Sequence, residues 1–273
     1  MTRFIVVPQW QGSPSSRAMQ LVDGAEAIAG DLPRSACTRV AVPLEAGESL
    51  DTRVNRYSAL RRTSELLALE LAPPGEPALV VGGDCGVGVA AVAHSLAREP
   101  DLAVVWLDAH PDLHTPDSSE SGAFAGMALR AVLGEGAPGL SLTPDAVPAA
   151  RVVLAGARSF DPAEEGVVEQ LGITWLTIDA LADVEALADA VVATGAAGVH
   201  IHVDLDVLDP SALSHVTSAE PFGVDVASLV SLIGAVRARV PLAGASLAGF
   251  APSSPDAAVD DLGAILRIIG ALA

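Results

Sequence analysis

The chain of 273 residues contains no lysine and only two cysteines, Cys37 and Cys85. Without lysine, its 15 basic residues are all arginine, set against 34 acidic ones for a formal charge of −19 and a calculated pI of about 4.4. A surface that tracks phosphates needs concentrated positive charge, so nucleic acid is disfavoured as a partner. Only "RVNRYSALRR", Arg53 to Arg62, gathers positive charge, and its helical spacing reads as a solvated helix face. Two cysteines in a large chain read as free thiols rather than a disulfide framework, with Cys37 a structural residue. Long apolar runs are also missing: stretches such as "DLAVVWL" are interrupted well before the ~20 residues of a membrane span. The N-terminal "MTRFIVVPQW" lacks the length and cleavage site of a secretion signal, so the expected location is cytoplasmic. No G-x-S-x-G elbow occurs, which disfavours a serine hydrolase of that type.

What is present is apolar: 51% hydrophobic residues and a mean hydropathy of +0.45, ample for a large core. Short runs recur as "FIVVP", "TRVAVP", "PALVVGGD", "LAVVWLDAH", "ARVVLAGAR", "ITWLTID", "GVHIHVDLDVLD" and "LAGASLAGFAP". Alanine- and leucine-rich segments of helical length separate most of them, among them Gly86 to Arg98, Ile178 to Thr194 and Val224 to Val240. This alternation predicts an α/β fold with a mainly parallel sheet between helical layers. Leu113 to Gly122 and Gly134 to Pro148 read as loops, and neither divides segments of different composition, so residues 1–273 are expected to form a single domain.

In such sheets ligands bind beyond the carboxyl ends of the strands. Here those ends carry Asp84 and Cys85, then Asp108, His110, Asp112 and His114, then Asp204, Asp206 and Asp209. In "DAHPD" the side chains of Asp108, His110 and Asp112 alternate, and extended backbone would point all three the same way; Asp204 and Asp206 repeat the pattern. Carboxylates converging without cationic neighbours repel unless divalent ions neutralise them. Mixed carboxylate and imidazole donors suit Mn²⁺, Fe²⁺ or Zn²⁺, and two such ions generate hydroxide at neutral pH. Taken singly each aspartate reads as a turn cap, the role expected of Asp84 and Asp209. A rival reading starts from Gly86, Gly88 and Ala91, which fit G-x-G-x-x-A, with Asp108 as the ribose acid of a dinucleotide site; it leaves "AHPD" and "DLDVLDP" unexplained. His94, His200 and His202 read as packing or surface residues, and His215 as an incidental loop histidine.

"GGDC", "DAHPD" and "DLDVLDP", in this order on three strand ends, resemble the ureohydrolase family of arginases, agmatinases and formiminoglutamases. The resemblance implies a three-layer α/β/α fold, a small-molecule guanidino substrate, a dinuclear manganese centre and, for the assembly, a homo-oligomer. It implies that Asp108 and Asp204 bridge two Mn²⁺ ions and position a nucleophilic hydroxide, that Asp112 completes one site, and that His110 and Asp206 complete the other. Cys85 falls where the family usually has a histidine ligand, so it is expected to bind metal as thiolate. "GARSFDPAEE" looks like the segment holding a substrate α-amino group, which assigns Asp161 and Glu164 to substrate. "SGAFAG" keeps Ser121 of a substrate-binding segment but has Ala123 for an Asn that binds carboxylate and Ala125 for a His that shuttles protons. Gly249 in "LAGFAP" stands for a guanidinium-binding Glu, and His114 replaces a common Asn beside the substrate. These changes resemble the branch hydrolysing Nω-hydroxy-L-arginine to hydroxyurea and L-ornithine in D-cycloserine biosynthesis. Agmatinase-like or formiminoglutamase-like hydrolysis and a metal-binding pseudoenzyme are the alternatives.

Overall fold

In the computed structural model, which describes residues 2–72 and 75–273, strands and helices alternate along the chain. They are β1 (Arg3–Val7), α1 (Gln20–Asp31), β2 (Cys37–Arg39), α2 (Tyr57–Leu71), β3 (Ala78–Gly82), α3 (Val87–Arg98), β4 (Leu102–Leu107), α4 (Ala128–Val132), β5 (Val152–Ala155), α5 (Val167–Leu171), β6 (Thr174–Leu176), α6 (Val184–Ala193), β7 (Gly198–Asp204), α7 (Val226–Arg239), β8 (Leu242–Ala248) and α8 (Pro255–Leu272). All eight strands are parallel, in the order β2-β1-β3-β8-β7-β4-β5-β6.

The continuous apolar runs are explained by burial on both faces, the condition of a parallel sheet. Every residue of β3, β4, β5 and β7 is buried, whereas the edge strands β2 and β6 are largely exposed. Successive residues alternate between layers: Ala103, Val105 and Leu107 of β4 pack under α6, α7 and α8, and Leu102, Val104 and Trp106 pack on the α3 and α4 side. The three-layer α/β/α architecture expected from the pattern is thus observed.

Three local readings need correction. "TRVAVP" contributes only Thr38 and Arg39 to a strand, because β2 pairs with β1 alone and the chain then leaves the sheet edge. Ile178 to Thr194 is helical only from Val184; a short turn at Ala180–Ala182 precedes it, and Asp183 then caps α6 by accepting from the Glu185 N–H at 3.0 Å. The Arg53–Arg62 stretch is not one helix face. Arg53 and Arg56 have positive φ ahead of α2, and the Arg56 guanidinium donates to the Ser13 carbonyl at 2.9 Å and lies over the Trp10 ring, so it ties loops together.

The sheet order fixes where a site can form. The chain builds β1 to β3 at one side, skips across to β4, and only later fills the gap with β7 and β8. The carboxyl ends of β3, β4 and β7 therefore open around a switch in strand order, the place such sheets use for ligands.

Candidate metal centre

Beyond β3 the chain turns through Gly83, where any Cβ would collide with the Gln9 backbone, so glycine is required. Asp84 then accepts hydrogen bonds from the Gly12 N–H (2.9 Å), the Gly86 N–H (3.0 Å) and the Gln9 side-chain amide (2.8 Å). Burial pushes its carboxyl up to about 6, with these hydrogen bonds opposing the shift. This tie aims Cys85 into the centre. Its thiol donates to Asp204 Oδ2 at 2.7 Å and lies 3.7 Å from Asp108 Oδ2. Burial first, and then Asp204, Asp112 and Asp108, hold that thiol protonated well above its ordinary range when no cation is present.

The β4 and β7 side chains converge, but not by strand alternation. β4 ends at Leu107, and Asp112 takes a left-handed backbone conformation with φ of +52°, so "DAHPD" is a loop folding back on itself. Likewise β7 ends at Asp204, and Asp206 sits in a short 3₁₀ turn. Local hydrogen bonds replace the expected period of two. Asp108 Oδ1 accepts from the His110 N–H (2.7 Å), Asp204 Oδ1 from the Asp206 N–H (2.9 Å) and Asp206 Oδ1 from the Ala109 N–H (3.0 Å). The last bond laces the two loops together. His110 Nδ1 lies 2.9 Å from Asp206 Oδ2 and 3.5 Å from Asp108 Oδ1.

All four aspartates are buried, and burial raises each: Asp204 to about 7 and Asp206 to about 6, each pushed further by a neighbouring aspartate. Burial opposes charge on His110 too, but Asp108 and Asp206 outweigh it and lift the imidazole to about 12. Asp112 Oδ2 is buried with no hydrogen-bond partner. A buried carboxylate oxygen left without a partner among like charges is a donor that a divalent cation would satisfy. Asp108, His110 and Asp206 offer donor atoms within 4.8 Å of one another, and Cys85 and Asp108 belong to a second such group. Sulfur, oxygen and nitrogen donors in two adjoining sets fit a pair of divalent cations.

The centre floors a cavity of about 400 Å³. Ser121, Ala123 and Ala125 line one side. On another, His114 Nε2 lies 2.9 Å from Asp161 Oδ2 and 3.7 Å from Glu164 Oε2. Both Glu164 oxygens already accept backbone bonds, from Leu113 N–H (2.9 Å) and Asp161 N–H (3.2 Å), which leaves Asp161 as the exposed carboxylate. The structure thus brings Cys85, Asp108, His110, Asp112, His114, Ser121, Asp161, Glu164, Asp204 and Asp206 to one cavity. Gly249 is not among its lining; its φ is +93°, and a Cβ there would run into the Asp204 carboxylate. His215 pairs with Asp261 at 2.6 Å and is absent from the lining. Gly86 and Gly88 are needed for contact with Phe124 and with Trp106 and His202, so the glycine pattern serves packing rather than a phosphate.

Sequence reasoning missed the opposite wall. Ser218 and Glu220 face His110, with Ser218 Oγ 3.4 Å and Glu220 Oε1 3.8 Å from its Nε2. Arg158 holds this loop in place, its guanidinium donating to the carbonyls of Asp206, Glu220 and Pro221, each at 2.9 Å. An acid inside the turn-rich "SAEPFG", soon after a ligand-bearing strand, was the available signal.

A model of the arginase family matches residues 17–264. The arginase of Bacillus caldovelox is 32% identical over 193 residues, covering 67% of this chain and 62% of that protein. Arginase-1 of Oryctolagus cuniculus is 31% identical over 173 residues, covering 58% and 54%. The alignments thus span less than two thirds of either relative. In structure, the B. caldovelox enzyme superposes with a TM-score of 0.82 at 25% identity, covering 98% of each chain. Entamoeba histolytica arginase in complex with L-ornithine gives 0.85 at 19% identity, over 99% and 97%, a likeness of fold.

Proposed function

Because the chain belongs to the arginase family, we propose that it is a two-metal amidinohydrolase that cleaves Nω-hydroxy-L-arginine with water to hydroxyurea and L-ornithine, serving D-cycloserine formation. We assign the ions as Mn²⁺; Asp108 and Asp204 would be shared between them, Cys85 and Asp112 would help hold one, and His110 and Asp206 would help hold the other. Such a pair, once bound, lowers the pKa of a shared water and polarises the group under attack.

The side chains do the rest. The water oxygen bonds to the guanidino carbon, the bond from that carbon to the ornithine nitrogen breaks, and that nitrogen leaves carrying a proton. Asp112, a carboxylate on the cavity floor, is the group suited to take the water's proton and return it to the departing nitrogen. Asp161 faces the cavity as the acceptor for the substrate α-ammonium group, oriented by His114. Ser121 serves the carboxylate end.

One contrast within the cavity carries the choice of substrate. Its carboxylate floor is complete, while Ala123 and Ala125 on its wall offer neither hydrogen bond nor proton. A hydroxyguanidine is less basic than a guanidine and loses less from a missing guanidinium acceptor at Gly249. The L-ornithine named with the Entamoeba arginase is the amino acid this reaction releases. Assays with Mn²⁺ on arginine, hydroxyarginine, agmatine and formiminoglutamate test the reading. Hydroxyarginine is expected to turn over fastest; faster arginine hydrolysis overturns the assignment, and turnover of none points to a metal-binding protein without this activity.

A further inference from the structure

Directly beneath the centre, His202 lies on β7 two residues before Asp204 and is fully buried. Its ring stacks on Trp106 of β4, its partner in the strand register, with centroids 3.7 Å apart. His202 Nδ1 sits 2.8 Å from Ser246 Oγ, and Ser246 Oγ sits 3.1 Å from His200 Nε2. His200 Nδ1 is 2.8 Å from Ser95 Oγ, whose hydroxyl donates to the Ala91 carbonyl at 3.2 Å. Both rings are fully buried and hydrogen-bond to serine hydroxyls rather than to carboxylates, the setting of a neutral imidazole.

The direction of this chain of bonds follows from proton counting. A hydroxyl has one proton and a neutral imidazole one N–H. With the Ser95 proton given to Ala91, Ser95 accepts from His200 Nδ1–H. His200 Nε2 then accepts from the Ser246 hydroxyl, and Ser246 Oγ accepts from His202 Nδ1–H. His202 Nε2 is left with a bare lone pair, and it is buried with no hydrogen-bond partner. With Nδ1 engaged by Ser246, Nε2 is the His202 atom free to join Cys85 Sγ and an Asp108 oxygen in one group of donors within 4.8 Å of each other.

We propose that His202 Nε2 is a ligand of the metal ion held by Cys85 and Asp108, with His200, Ser246 and Ser95 fixing its tautomer from behind. The assignment rests on the two-metal reading above. It gives the thiolate-bound ion an imidazole of its own, separate from His110, and so makes the two sites chemically unlike. It also revises the sequence reading of His202 as a packing residue. Fixing the tautomer from the far nitrogen is how metal-binding histidines are commonly oriented. The opposite polarity, with His202 Nε2–H donating to the thiolate, requires every bond in the relay to reverse and Ser95 to release Ala91.

Cadmium-113 NMR of the Cd²⁺-loaded protein, labelled with ¹⁵N-histidine, reads this directly. Thiolate ligation marks one resonance by its downfield shift, and that resonance is expected to be split by one ¹⁵N, as is the second resonance by His110. In His202→Ala the downfield resonance should lose its splitting, and the affinity of that site should fall about 10- to 100-fold in a Cd²⁺ titration. Ser246→Ala, which leaves the ring in place, should weaken the same site while keeping the splitting. Two bound ions with an unsplit thiolate resonance in the unmodified protein overturn the role of His202 alone. Failure to bind Cd²⁺ at all overturns it together with the two-metal reading.

Discussion

At the scale of single residues, Cys85 separates this centre from one built on imidazole and carboxylate alone. A thiolate brings full negative charge where a neutral imidazole brings none, so its ion is a weaker Lewis acid. A hydroxyguanidine can occupy the nucleophile's place between two strongly acidic ions through its own hydroxyl; a softer ion holds that hydroxyl less firmly. Cys85→His is therefore expected to keep two metal ions while inhibition by hydroxyarginine strengthens and its turnover drops by at least ~10-fold, an effect of about 1.4 kcal/mol on the barrier. Steady-state kinetics on arginine and hydroxyarginine decide this, and an unchanged preference between the two removes the reason given for the cysteine.

At the scale of elements, the apolar runs of β3, β4, β5 and β7 were legible as strands because each is buried on both faces, a condition that leaves a plain mark in composition, whereas the exposed edge strands β2 and β6 carry a weaker one. The carboxylates crowding the strand ends were legible as a group, since turn capping does not explain so many together, although His202 beneath them read as packing. Their geometry was not. Asp112 reaches the centre through a left-handed turn and Asp206 through a 3₁₀ turn, and neither conformation is written in the alternation of residue types. The wall carried by Ser218 and Glu220 left only the weak signal of an acid in a turn-rich loop, because contacts between distant loops, here imposed by Arg158, leave no periodic trace. The end of β8 shows the same gap between motif and space. Gly249 stands where the family resemblance puts a guanidinium-binding Glu, yet its backbone is left-handed and the Asp204 carboxylate fills the room a side chain needs. Gly249→Glu is expected to cost about 2–4 kcal/mol in stability, from backbone strain and overpacking together. It should also lower metal occupancy, and arginine turnover should not rise. Elemental analysis with a melting curve checks it; a stable, fully loaded variant that gains arginine hydrolysis would show that β8 can shift to admit the glutamate.

At the scale of the whole molecule, charge and metal act on stability in opposite senses. Asp204 and Asp206 titrate near 7 and 6 in the folded metal-free protein, above the ordinary carboxylate range, and His110 near 12, above the ordinary histidine range. Groups raised by folding contribute stability that is present in full at acid pH and is lost as pH rises through the raised values. The metal-free protein should therefore melt several degrees higher at pH 5 than at pH 8, and the repulsion among 19 net negative charges pushes the same way. Divalent ions displace the protons, so their stabilisation grows over the same range, reaching about 2.7 kcal/mol at a free concentration 100 times the dissociation constant. Differential scanning calorimetry with and without Mn²⁺, at both pH values, tests both slopes; a metal-free protein that gains stability toward pH 8 contradicts the assigned burial costs.

The guanidinium of Arg158 spans the Asp206 carbonyl on one side and the Glu220 and Pro221 carbonyls on the other, while Phe222 projects beside them with 80% of its surface exposed. The loop and the turn that follows β7 are thereby one mechanical piece, so if that turn holds metal, emptying the centre should loosen the loop. Chymotrypsin, which cuts after large aromatic residues, can serve as a gauge of that tension at Phe222. Cleavage there should quicken several-fold when the ions are chelated. Arg158→Lys, with one point charge in place of a five-donor fork, should quicken it even in the loaded protein. Equal cutting rates in all three samples would mean that the loop is held by something other than this arginine.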